Sequence, residues 1–128
     1  MATVLTTAGR AIVTNRMIAA GTEPSYMAIG SGAGTAANTD TTLFTEYTTG
    51  TWTSYARVNT AGTRVTVTTT NDTYQTVSTF TAGAAQTVTN AGNFDALTVG
   101  NCLVKGDFTG VVLANGDSIQ VTVKLTIV

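Results

Sequence analysis

The sequence predicts a mainly β protein, an antiparallel sandwich or jelly-roll-like domain with one short N-terminal helix. Three observations carry that prediction. The closing segment SIQVTVKLTIV alternates apolar and polar residues with a strict period of two. Threonine-rich segments recur down the chain, broken roughly every ten residues by Asn, Asp or Gly. Helix signals are confined to the first part of the chain. The 128 residues fit one domain, read as a helix or arm over 1–24 and a β-sandwich over 25–128.

The helix lies in TTAGRAIVTNRMIAAG. Thr6 or Thr7 can cap its start, Ala8, Arg10 and Met17 favour its interior, and Gly21 stops it. Ile12, Arg16 and Ala19 share a face with Val13, Met17 and Ala20 beside it, so one side can pack on something larger. Pro24 discourages continuation. Strand candidates follow at Tyr26–Ile29, Trp52–Val58 and Thr87–Phe94. TRVTVTTTNDTYQTVSTFTA reads as a hairpin turning at Asn71-Asp72, because threonine is branched at Cβ and suits the pleated backbone without needing charge. Asn115-Gly116 predicts a second tight turn, pairing the last strand with Val111–Leu113 or with Cys102–Phe108.

Only 10% of residues are charged and the net charge is −1, with neither sign clustered. That speaks against a nucleic-acid or anionic-membrane surface, each of which needs a basic face. The start lacks the basic and apolar regions of a signal peptide, and no run approaches the roughly 20 apolar residues of a membrane span, so synthesis and folding in a cytoplasm are expected. Cys102 stands alone beside Leu103 and Val104, which rules out an intrachain disulfide and reads as a small core residue.

Catalytic chemistry is hard to assemble. There is no histidine, the commonest general base and metal ligand. No serine sits in a nucleophile elbow. The acids are Glu23, Asp40, Glu46, Asp72, Asp95, Asp107 and Asp117; Asp72, Asp107 and Asp117 adjoin Asn or Gly and read as turn formers. No calcium-loop pattern is present. No enzyme activity, metal or cofactor is expected. The glycine-rich GSGAG is not a phosphate loop, because Gly34 is followed by TAANTD instead of Lys with Ser or Thr. Gly30, Gly32 and Gly34 instead let the backbone turn or approach a neighbour closely. The uncharged run after them is either a contact loop ordered by a partner or a plain surface loop.

Two patches resemble small structural proteins of tailed bacteriophages. LTTAGRAIVTNRMIAAGTEPSYMAIGSGAG is similar to the start of tail-collar fibre proteins, where a T-x-A-G helix leads through a G-T turn to a strand ending I-G-x-G. TVTNAGNFDALTVGNCLVKGDFTGVVLANGDSIQVTVKLTIV is similar to E-A-G-L-F-D-A … G-N-L-L … G-D-S-L endings of virion proteins, with Asn90 and Asn93 departing from that pattern. The resemblance implies a virion protein assembled in the host cytoplasm, first a capsid decoration or cement protein on the outer head, trimeric and bound to the major capsid protein. A tail-associated adaptor or short tail fibre is the alternative. A carbohydrate-binding module stacking sugars on Tyr47, Trp52 and Tyr55 is a third. On the virion reading, Gly30, Gly32 and Gly34 allow close approach, and Leu43, Phe44, Trp52 and Tyr55 are either partner-contact anchors or ordinary core. If Phe44 is an anchor, Phe44→Ala weakens attachment and spares the thermal midpoint.

Overall fold

A computed structural model describes residues 1–128. In chain order the elements are β1 (Thr3–Leu5), α1 (Thr7–Met17), β2 (Tyr26–Gly30), β3 (Val58–Asn59), β4 (Thr63–Val65), β5 (Thr73–Thr81), β6 (Gln86–Phe94), β7 (Cys102–Leu113) and β8 (Ser118–Thr126). They form a five-stranded sheet ordered β1-β7-β6-β2-β3 and a three-stranded sheet ordered β4-β5-β8, with every pairing antiparallel. Met27, Ile29, Val88 and Leu103 of the larger sheet meet Phe80 and Val123 of the smaller in one apolar core. The predicted mainly β class with one short helix is what the chain adopts.

The period-two reading of the last strand holds from Ile119 to Leu125, whereas Ile127, beyond the strand, is exposed. Ile119, Val121, Val123 and Leu125 turn toward the core, while Gln120, Thr122 and Lys124 are exposed. Its predicted partner is wrong, however. β8 pairs along its length with β5, from Thr73 opposite Thr126 to Thr81 opposite Ser118. Asn115-Gly116 does make a tight turn, closed by the Asp117 amide on the Ala114 carbonyl, with Gly116 at φ +89°. That turn carries the chain from one sheet to the other instead of closing a hairpin. The hairpin of β4 and β5 forms as expected, with Asn71 at φ +60° in its loop.

Of the predicted strand Trp52–Val58 only Val58, the first residue of β3, is extended sheet, and the stretch before it is not a strand. It is a series of tight turns, with the Trp52 amide on the Thr48 carbonyl, the Tyr55 amide on the Trp52 carbonyl and Ser54 at φ +60°. Small polar residues let the backbone coil while the aromatic rings plug into the core. α1 starts where expected. The Thr6 hydroxyl accepts the Gly9 amide and donates to the Cys102 carbonyl, capping the helix and anchoring it to β7. The packing face is narrower than its pattern suggested. Gly9 and Ile12 are buried against β7, whereas Met17 and Ile18 are exposed. No helix is long and apolar enough to cross a membrane.

Candidate functional site

Strand β2 is buried on both faces. Met27 and Ile29 enter the inter-sheet core, while Ala28 lies on the opposite side with Leu43, Phe94 and Cys102 in a second apolar cluster. What covers that outer face is the glycine-rich segment flagged in the sequence, here called the strap, residues 31–46. Its base is zipped: the Ser31 amide donates to Thr45 O, the Gly32 amide to Phe44 O, and the Tyr47 amide to Ile29 O. The glycines serve this closure. A Cβ on Gly30 or Gly32 would collide with the Phe44 backbone, and one on Gly34 with the Phe44 ring. The close approach read from Gly30, Gly32 and Gly34 is thus made within the chain.

Three side chains from β6 and β7 pin the strap. Asn90, fully buried, accepts the Phe44 amide at 3.0 Å and donates to the Phe44 carbonyl at 2.9 Å. Lys105, 1% exposed, places its ammonium 2.8 Å from Asp40 Oδ2, 2.8 Å from the Thr42 carbonyl and 3.2 Å from the centre of the Phe44 ring. Asp107 accepts the Ala36 amide at 2.7 Å and the Ala2 amide at 3.2 Å. Asp107 is therefore a strand residue holding two segments and not the turn former its glycine neighbour suggested. The Lys105 hydrogen bond holds the Asp40 carboxyl below the usual range, and backbone amides do the same for Asp107. The outer surface left by this clamp is small and neutral, formed by Thr35, Ala37, Asn38, Thr39 and Thr41.

Leu43, Trp52 and Tyr55 are buried in this chain, which makes them core residues; of the four candidate anchors only Phe44 keeps a partly exposed surface. Trp52 donates from its indole to the Thr81 carbonyl and packs edge-on against Tyr47 at 4.9 Å, and Tyr55 stacks near Phe80. Buried faces cannot stack on a sugar, so the aromatic platform of a carbohydrate-binding module is absent at Tyr47, Trp52 and Tyr55. Beside them Arg57 is buried against the Phe94 ring and held by Glu46 at 2.8 Å and by the Ala96 and Val99 carbonyls.

The remaining acids are also engaged in structure. Asp72 accepts the Val67, Thr68 and Thr69 amides, Asp95 holds Asn101, Asp117 accepts the Ala114 amide, and Glu23 accepts from the Gly62 amide and the Tyr74 hydroxyl. No three acidic or cysteine side chains converge on one point. Cys102 is sealed in the outer cluster, and burial pushes its thiol up to about 12. A concavity of about 460 Å³ between α1 and the three-stranded sheet is lined mainly by Ile12, Val13, Met17, Tyr74, Leu125 and Ile127. The site is thus a strap held down by Asn90, Lys105 and Asp107.

Comparison with known protein families matches residues 6–127 to the family described as Podophage GP4 fiber I protein gp80. The chain belongs to this family. No match was found among curated proteins or solved structures. Membership in a podophage fiber family makes this a virion structural protein of a bacteriophage, as the two resembling patches implied. The matched region takes in the helix, the strap and every strand but β1. Asn90 and Asn93, which depart from the resembling pattern, are fully buried clamps: Asn93 donates to the Pro24 carbonyl and accepts the Val104 amide.

Proposed function

We propose that this protein is a subunit of a phage fibre or of the base that joins a fibre to the tail, acting as a homo-oligomer and without chemistry. The observation that carries the reading is the fiber-family match across nearly the whole chain. The engagement of every carboxylate in turns, clamps or ion pairs supports a mechanical part. In this reading the neutral strap surface and the exposed apolar residues Met17, Leu97, Val99 and Val112 are where neighbouring subunits bury area.

A head decoration role, binding the outer surface of the major capsid protein, is the second reading. It is favoured by the shape: one sandwich with a single inter-sheet core suits a cement block on a lattice. Quantitative mass spectrometry of purified particles separates the two. A copy number that is a small fraction of the shell protein's supports the fibre role. A copy number close to the shell protein's supports decoration, and absence from the particle overturns both.

A further inference from the structure

The two flanks of the sandwich are finished differently. On one flank the edge strands are β3 and β4, of two and three residues, too short to template another chain. On the other flank, β7 is partly covered by β1 and interrupted by a bulge between its pairings at Asp107 and Val111. β8 has neither protection. It is nine residues long, regular in register against β5, free of proline, and bare along its whole outer edge. Its inward residues Ile119, Val121 and Leu125 are only half-buried, as expected of a core face that stops before it is covered.

We propose that a second copy of this chain covers that edge, with β8 pairing antiparallel to β8 of its neighbour about a two-fold axis at Val121. The strand is complementary to itself in that arrangement. Val121 meets Val121 and Ile119 meets Val123 on the inner face, so the apolar face continues across the junction. On the outer face Gln120 meets Thr122, and Lys124 meets Ser118 beside Asp117. The acid at the entry of the strand therefore lies near the base at its end; a parallel pairing would bring like charges together. The two three-stranded sheets become one sheet of six, and an isologous contact of this kind closes at two copies and does not propagate. This replaces the three-fold assembly expected from the sequence and rests on the homo-oligomer reading above.

The test is sedimentation of the full chain and two variants at exposed positions. The wild type is expected at twice the chain mass of 13.1 kDa. Gln120→Lys with Thr122→Lys sets lysines opposite lysines and should weaken association at least about a hundredfold, leaving a folded monomer. Gln120→Glu with Thr122→Lys sets acids opposite lysines and should remain a dimer. A wild type that sediments as one chain or as three overturns the proposal, as does a dimer indifferent to the double lysine variant. If that variant does not fold, amide exchange in the wild type decides: the outward amides of β8 are protected in the dimer and exchange freely if the edge is bare. None of these outcomes bears on the copy number in the particle, so the fibre reading stands or falls separately.

Discussion

Asn90 is the residue on which the strap depends most directly. Its amide is fully buried and answers both backbone groups of Phe44, so removing it leaves the Phe44 N–H with no partner, while the Phe44 carbonyl keeps only the Gly32 amide. Asn90→Ala should cost about 1–3 kcal/mol, read by urea denaturation, as one unsatisfied backbone N–H would imply. Asp40→Ala strands the Lys105 ammonium with only a carbonyl and a ring face, and a loss near 3 kcal/mol is expected for a broken buried pair. Phe44→Ala no longer fits the sparing outcome expected from the sequence. Its ring caps Lys105 and lies over Gly34, so the thermal midpoint should fall by an amount equivalent to about 1–3 kcal/mol. An unchanged midpoint would show that the ring is free for a partner. None of these clamps could be read from the sequence: Asn90 lies 46 residues from Phe44 and Lys105 lies 65 from Asp40, and neither pair has a local signature.

Among the elements, β2 and β6 were legible as strands, at Tyr26–Ile29 and Thr87–Phe94, but which faces are buried was legible only where one face is wet. β8 and the hairpin of β4 and β5 face water on one side, so their alternation is visible in Val and Thr. β2 is covered by the sheet below and the strap above, and YMAIG shows no alternation to read. The turn residues at Ala114–Asp117 were legible, but not which sheet the chain would join next, because a tight reversal serves a hairpin and a sheet crossing equally. Helix propensity misleads at one position. Gly9 costs the isolated helix about 1 kcal/mol relative to Ala. Yet a Cβ there would run into the Leu103 carbonyl, which belongs to backbone and cannot rotate away. Gly9→Ala should therefore destabilise the protein by about 1–3 kcal/mol as helix and sheet are forced apart. A stabilised variant would mean that α1 is free to shift on β7.

At the scale of the whole molecule, the absence of histidine and the engagement of the acids fix how stability responds to pH. Asp40, Asp72 and Asp107 are all held below the usual carboxylate range, by the lysine hydrogen bond in the first case and by backbone amides in the other two. A group whose folded pKa is depressed gives stability that is complete above its unfolded value, about 3.9, and is lost as pH falls through the folded value. The opposite limb comes from groups raised by burial. Cys102 is pushed up to about 12, and Tyr55 and Tyr74 are raised above the phenol range. Their contribution is complete below the unfolded values, about 8.5 for the thiol and about 10 for the phenols, and is lost as pH rises beyond them. The thermal midpoint should thus be level from about pH 5 to about pH 8, dropping on either side, with no step near pH 6.5 where a histidine would titrate. Cys102→Ala should lower the plateau by opening a small void and move the alkaline decline up toward about pH 10, where the tyrosines take over. Asp72→Asn should shrink the drop between neutral and acid conditions, because Asp72 holds three amides of the loop before β5 only while it is ionised. A midpoint that declines through neutral pH, or an alkaline limb unmoved by Cys102→Ala, would show that other groups govern the fold.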